Sequence, residues 1–384
     1  MSATSQHAFL PPSGAGAWVV CALWPTMNQR YPELEDGPEA REGTAAHWVF
    51  TEQLYQRPVD EGMIAENGEP VTVEMLEGAD MYVAEVGRAY ASLASVSHYK
   101  VEQRVAINDV HPNNWGTPDT WIFGHNPTTG RARLIVLDYK FGHEFVEVFE
   151  NWQLVDYALG ILDELGIDGA ADQVLDVEFV IVQPRSYHKD GPVRRWCTVA
   201  ANLRPLANKL RGAAEAAHMP NPVARPEPSN CKHCPGRHAC EALQREGYRA
   251  MDLAGMSTPL EMPLDAAGLE LRMLERAIKL AQARASGLAE QIEHALRDGQ
   301  QSGHYALEPG ESKLIWTKPV DEVLALGTLC GVNLAKPAAP ITPTQAKKLM
   351  DPALVALYSE RTHAALQLVP INMDRVRKIF QNNS

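Results

Sequence analysis

The hydrophobic pattern of this chain predicts an α/β fold, with a helix, three strands, a second helix and a further strand building a sheet flanked by helices. Two helical stretches come first, at 37–56 and 71–96, with apolar residues three and four apart. Three strand-like stretches follow at 99–107, 117–123 and 131–140. The last contains four consecutive apolar residues, Leu134 to Leu137, which suits a central strand covered on both faces. A helical stretch at 150–165 then separates these from a β-rich run at 174–182.

Taken in order, residues 1–36 are irregular and rich in Pro, Gly and Ser, but carry Trp18, Cys21 and Trp24 in an apolar patch. The first helix holds Gly43-Thr-Ala-Ala-His47. Residues 99–107 alternate like a half-buried strand. The next two strands flank Asn126-Pro-Thr-Thr-Gly130, a cluster of turn-forming residues, and read as a hairpin. A hairpin symmetric about Thr128 and Thr129 puts Asp119 directly opposite Asp138. Directly opposite residues share a face of the sheet, and Lys140, two residues on, shares it too.

A further strand is expected at 193–198 and a helix at 203–217. A proline-rich linker, 220–228, leads to a cysteine cluster, Cys231 to Cys240. Residues 264–298 read as one long helix whose stripe Leu271, Leu274, Ile278, Ala281, Ala285, Leu288, Ile292 predicts a helical hairpin or packing arm ahead of a coiled coil. Thr342-Pro-Thr-Gln345 has the form of a capping box with proline at the first helical position, so a short helix is expected to begin there. The division expected is a domain over 1–245, closed by the cysteines, and a mostly helical region over 246–384.

Composition narrows the function classes. With 384 residues, 45% apolar and 22% charged, the chain matches an ordinary soluble protein. It shows no apolar run of membrane-spanning length and no secretion signal, which predicts a cytoplasmic protein without a membrane partner. Six unevenly spaced cysteines in such a chain point to metal binding rather than a disulfide scaffold. The net charge of −13 runs against nucleic-acid binding unless a metal offsets clustered carboxylates and a basic groove is local. The best local candidate is 185–195, with Arg185, His188, Lys189, Arg194 and Arg195, followed by Arg204, Lys209 and Arg211. No phosphate-binding Walker A pattern is present, so no motor is built in.

Two carboxylates and an amine converging at a strand end suit a hard divalent cation and a charged, oxygen-rich substrate. Asp119 and Asp138 would hold the cation, the carbonyl of Tyr139 would offer a further oxygen, and Lys140 would orient water or stabilise charge. Gln153 and Tyr157, four apart, lie on one face of the following helix. Taken alone, Asp138-Tyr-Lys140 is an ordinary salt bridge, and Glu102 reads as a plain glutamate at a strand edge ahead of a further acidic member of the site.

In combination, His47 on a helix, Gly116-Thr-Pro-Asp119, Asp138-Tyr-Lys140 and Gln153-Leu-Val-Asp-Tyr157 resemble the RecB-like branch of the PD-(D/E)XK nuclease superfamily, over roughly residues 13–240. The resemblance implies a nuclease core with a mixed central sheet flanked by helices. It also implies His47, Asp119 and Asp138 as metal ligands, Lys140 as catalytic, and Gln153 and Tyr157 as organising the site or contacting DNA. The activity implied is that of a magnesium- or manganese-dependent deoxyribonuclease. The expected form is an exonuclease in recombination, repair or phage DNA processing, similar to the RecB-like proteins of phages and prophages. DNA would be its partner, with a separate helicase or a single-strand annealing protein alongside. Two rival readings are a catalytically weak nuclease fold that binds or assembles on DNA ends, and a zinc-ribbon interaction protein.

The cysteines Cys231, Cys234 and Cys240 stand at C-x2-C-x5-C spacing and leave a four-ligand site one short. Cys197, in a strand, and Cys330, in an apolar stretch, read as buried small hydrophobes. The iron–sulfur subclass of RecB-like nucleases, which includes the AddB subunit of bacterial repair helicase–nucleases, has one cysteine before the core and three after it at this spacing. The resemblance therefore implies a 4Fe–4S cluster on Cys21, Cys231, Cys234 and Cys240, and Ser13-x4-Trp18-x2-Cys21 resembles that subclass's first-cysteine segment. Zinc on Cys231, Cys234 and Cys240 with His233 or His238 is the alternative, since the ligand types permit either metal.

Overall fold

The computed structural model describes residues 8–31, 37–167, 174–254 and 262–307. The chain forms two compact units, Met1–Ser302 and Gly303–Ser384. In chain order the first contains α1 (Ala15–Trp18), α2 (Trp24–Arg30), α3 (Pro38–Leu54), α4 (Val73–Ala91), β1 (Ser95–Val101), β2 (Val105–Ala106), β3 (Trp115–Gly116), β4 (Thr120–His125) and β5 (Ala132–Tyr139). It continues with α5 (Trp152–Glu164), β6 (Asp176–Val182), β7 (Val193–Val199), α6 (Arg204–Ala217), α7 (Pro228–Cys231), α8 (Glu241–Ala254) and α9 (Leu264–Arg297). The helix expected from Thr342, and Cys330, lie outside the described residues. The boundary expected at 245 falls within α8. Among the described residues no helix is long and apolar enough to cross a membrane.

The architecture is mixed α/β: a five-stranded sheet in the order β1-β4-β5-β6-β7, with β5 and β6 parallel and the other pairs antiparallel. The central β5 is buried on both faces, as its unbroken apolar run requires. Leu134 and Val136 pack into a core with α5 and α6, while Ile135, Leu137 and Tyr139 pack into a second core with α3 and α4. The sheet is thus covered by helices on both sides.

The β4–β5 hairpin has the register that symmetry about Thr128 and Thr129 predicts. Thr120 pairs with Leu137 and His125 with Ala132, and the same register carried one residue further sets Asp119 against Asp138. The turn is closed by Gly130 N–H donating to the Asn126 carbonyl at 2.9 Å, with Gly130 at φ +68°, a conformation glycine adopts without a Cβ penalty.

Two strands differ from expectation. The one expected at 117–123 begins only at Thr120, which leaves Asp119 just ahead of β4. Residues 99–107 are not continuous: β1 begins at Ser95 and ends at Val101, and β2 pairs with β3 in a separate two-stranded sheet. The break is at Glu102, which has φ +48° and donates its N–H to the Asp119 carbonyl at 3.0 Å, turning the chain out of the ladder.

The long helix α9 also differs. It packs against α8 and the turn Pro235–His238, burying Leu280, Ala283 and Gly287. Leu271, Leu274, Ile278 and Leu288 of the expected packing stripe are exposed instead. A Cβ on Gly287 would meet the Arg237 side chain, so the absent side chain is what lets α9 approach the cysteine segment.

Candidate active site and cysteine pocket

The site forms at one end of the sheet, where Asp119 leads into β4 and Asp138 ends the apolar run of β5. Asp119 is buried and its Oδ2 accepts the Tyr139 backbone N–H at 2.6 Å, leaving Oδ1 for His47. From α3, His47 Nδ1 lies 3.5 Å from Asp119 Oδ1 and 3.8 Å from Glu102 Oε1. The imidazole is held against the rings of Phe50 and Tyr139, so its approach to the acids is fixed by core packing. His47, Glu102 and Asp119 bring three ligand atoms within 4.8 Å of one another. Glu102 thus stands in the cluster rather than as a plain strand-edge glutamate. The signal for it in the sequence is the loss of alternation after Val101, where the polar run Glu102-Gln-Arg104 marks a break.

Asp138 faces a second group. Its Oδ1 accepts from Gln153 Nε2 at 3.1 Å and from Lys140 Nζ at 3.2 Å, and Lys140 Nζ also donates to Gln153 Oε1 at 3.0 Å. Asp138 Oδ2 is buried and makes no hydrogen bond of its own, although the ammonium lies 3.1 Å away as an ion pair. A buried carboxylate oxygen without a hydrogen-bond donor is costly unless a cation serves it. Gln153 reaches this position because Asn151 caps α5, its Oδ1 accepting from the backbone N–H of Gln153 and of Leu154.

The electrostatics follow from burial. Desolvation pushes the Asp138 carboxyl up to about 6, opposed by the Lys140 ammonium and reinforced by Asp119. Asp119 is raised by the same desolvation, opposed by His47 and reinforced by Glu102. Burial alone would lower His47, yet the Asp119 and Glu102 carboxylates outweigh it and raise the imidazole. Lys140 is likewise raised, its burial overcome by Asp138 and Asp119. These acids repel one another and are quieted only by one lysine and one histidine. One imidazole and several carboxylate oxygens form a donor set that fits magnesium or manganese.

Tyr157 plays a supporting part. It is buried, and its Oη donates to the Thr117 carbonyl at 3.1 Å, bracing the segment that leads to Asp119. The glycine of Gly116-Thr-Pro-Asp119 has a steric reason: a Cβ there would lie 2.8 Å from Tyr157 Cε1 and 2.9 Å from Pro12. The Tyr139 side chain is buried on the opposite face of β5, among Phe50, Tyr82 and Phe141.

Cys21, Cys231, Cys234 and Cys240 line one pocket with about 330 Å³ of empty space, part of it open to solvent. Trp24, Met27, Leu243 and Arg237 complete the wall. Burial pushes the Cys231 thiol up to about 12 and Cys234 to about 11, and the neighbouring thiols add to the shift. Cys21 Sγ accepts the Arg225 N–H at 3.4 Å, so the N-terminal segment meets the linker here, 204 residues on. Neither histidine of the zinc alternative lines the pocket: His233 is exposed beside Glu144, and His238 lies edge-on to Tyr31 at 4.7 Å. Cys197 is exposed on β7, contrary to the buried hydrophobe expected, because β7 is an edge strand.

A family model matches residues 7–371, so it spans both of these sites. The chain belongs to that family, DUF2800, described as a protein of unknown function. No curated protein matches the sequence.

In this DUF2800 chain the basic stretch 185–195 is not an open groove. Arg185 is bound bidentately by Glu42, at 2.7 Å on each nitrogen, and again by Glu74. Arg194 is buried, and Arg195 pairs with Glu85 and Glu178. Arg211 is held by Asp109. Lys189 is exposed. Ion pairing within the fold thus engages Arg185, Arg195 and Arg211, part of the charge that the sequence offered to a polyanion.

Proposed function

We propose that this chain is a divalent-metal-dependent deoxyribonuclease with a RecB-like PD-(D/E)XK core, acting as an exonuclease on DNA in recombination, repair or phage DNA processing. The observation that supports it most is the junction of β4 and β5. There the hairpin register sets Asp119 against Asp138, while Lys140 and Gln153 close on one oxygen of Asp138 and leave the other without a hydrogen bond. Two coincidental surface acids would not be buried this way beside a lysine.

His47, Glu102, Asp119 and Asp138, with the carbonyl of Tyr139, would hold the cation. A divalent cation there supplies charge to offset the phosphodiester and makes a water molecule more acidic. Lys140 remains an ammonium at neutral pH, because its carboxylate neighbours raise its pKa. It would donate to a phosphate oxygen and stabilise the charge that develops there. Gln153 fixes the lysine's position by accepting from it while donating to Asp138. Tyr157 keeps Asp119 in place from behind the strand.

The cysteine pocket would hold a 4Fe–4S cluster as a staple between the N-terminal segment and α7. The support for a cluster over zinc is the lining: four thiols and neither of the two histidines that a Cys3His zinc site would use.

A second reading has one observation in its favour. Arg185 and Arg195 are paired with internal acids and Arg194 is buried on Gln183, as in a fold that binds DNA ends weakly or serves assembly. One experiment decides between the two. Purified protein with magnesium or manganese should degrade linear DNA, and Asp119→Ala and Lys140→Ala should lower the rate by at least about a thousandfold with melting temperatures near the parent's. Equal rates for parent and variants would remove the enzyme reading.

A further inference from the structure

Because β5 and β6 are parallel, the segments that follow them leave the sheet at the same end, and the Lys140 N–H donates to the Val182 carbonyl at 2.9 Å. The first of these segments joins Lys140 to Gln153. Within it Phe145 is 36% exposed, its ring 4.0 Å from the His188 ring and 4.7 Å from the Arg194 guanidinium. Tyr187, beside His188, is 77% exposed.

What holds Phe145 is unusual for an exposed ring. Gln183 is fully buried, and its Nε2 donates to the carbonyls of Gly142 and Glu144 at 2.8 and 2.7 Å. Its Oε1 accepts the Val146 N–H at 3.3 Å and Arg194 at 2.6 Å. The backbone is therefore pinned on both sides of Phe145. Arg194 is only 4% exposed, also donates to the Gly191 carbonyl at 3.0 Å, and leaves its Nε buried without a partner. Burying a glutamine and a guanidinium is costly. Here that cost fixes a surface ring in the segment that follows Lys140 rather than a residue of the core.

We infer that Phe145, with His188 and Tyr187, forms a stacking subsite for an unpaired nucleobase of the DNA strand that enters the site, an inference that rests on the nuclease reading. An aromatic face accepts any base, and a base can lie on it only when it has left its own stack. A ring fixed in advance loses little freedom when the base arrives. The chain's charge of −13 and its internally paired arginines leave stacking, rather than phosphate attraction, as the source of grip on this side. The substrate class is then DNA with a single-stranded end.

The test uses full-length protein carrying Asp119→Asn and a single-stranded oligonucleotide labelled with 2-aminopurine, whose fluorescence falls on stacking. Phe145→Ala should weaken binding roughly tenfold or more and abolish the quench. Phe145→Trp should restore both, and affinity for a blunt duplex should not change. The subsite is overturned if single strands do not bind, if Phe145→Ala binds and quenches as its parent does, or if Phe145→Trp fails to rescue. Cleavage by the protein without Asp119→Asn is scored separately. A protein that cleaves DNA with an unchanged quench in Phe145→Ala loses only the subsite, whereas one that never cleaves loses the nuclease reading and keeps the subsite if the quench obeys the pattern above.

Discussion

The acidic site and the cysteine pocket are built on opposite terms. Around Asp119 and Asp138 the protein supplies its own counter-charges, with His47 and Lys140 in contact with the acids and Gln153 between them. These groups sit on adjacent strands, on α3 and on α5, whose first turn Asn151 caps, so the arrangement stands without an ion. In the cysteine pocket the partners are sulfur atoms, two of them buried, with one backbone N–H donated to Cys21. The pieces there are short: α1, α2, α7 and a 3-10 turn, none able to hold its shape by itself. A bound metal should therefore matter to chemistry at the first site and to folding at the second.

The largest effect that could break this contrast is at Cys21. Cys21→Ser should remove bound iron and sulfide and lower stability by roughly 3–5 kcal/mol, read by denaturant unfolding of anaerobically purified protein, because the tie between the N-terminal segment and the linker is gone. Full iron content in Cys21→Ser would show that the fourth ligand lies elsewhere. Gly116→Ala comes next. It should cost about 1–3 kcal/mol by pushing the added methyl into Tyr157 and Pro12, and should depress DNA cleavage beyond that loss by displacing Asp119. Wild-type cleavage in Gly116→Ala would show that Tyr157 does not set the strand's position.

A third test concerns an acid that neither site uses. Asp156 on α5 is fully buried, and desolvation lifts its carboxyl to about 7 against the Asn114 amide that donates to it at 2.9 Å. A carboxyl raised in the folded state holds its proton more tightly there than in the unfolded chain. Its contribution to stability is complete below about pH 4 and is lost as pH rises through about 7. Asn114 Oδ1 is buried and unserved, ready to accept from a neutral acid or an amide. Asp156→Asn should thus remove a decline in stability between pH 4 and 7 of roughly 3 kcal/mol, measured by urea unfolding across that range. A wild-type curve that already lacks the decline would count against a raised Asp156.

The sequence carried the sheet and the hairpin register because both rest on local signals: the apolar run of β5, the turn residues 126–130 and the alternation that fixes faces. Gln153 was readable for the same reason, being one turn from Tyr157 and just inside a cap. At Glu102 the break in alternation is legible, but the place of its carboxylate depends on a left-handed backbone angle and on His47 from a distant helix, which no local pattern announces. The packing face of α9 was misplaced because the stripe marks what is apolar, whereas burial was decided by the small residues Ala283 and Gly287 that fit the cysteine segment. Arg185 and Arg195 read as available charge because their acidic partners, Glu42, Glu74 and Glu85, come from helices more than a hundred residues earlier.

Glu102 carries a consequence of its own. At φ +48° a glycine would sit more comfortably than a glutamate, a difference of about 1 kcal/mol. The position therefore sets two demands against each other, backbone ease and a carboxylate within reach of His47. Selection for stability alone would empty the site of this acid. At Glu102 a strained backbone and a carboxylate beside His47 come together, so under the nuclease reading Glu102→Gly should raise stability while weakening the hold on a cation.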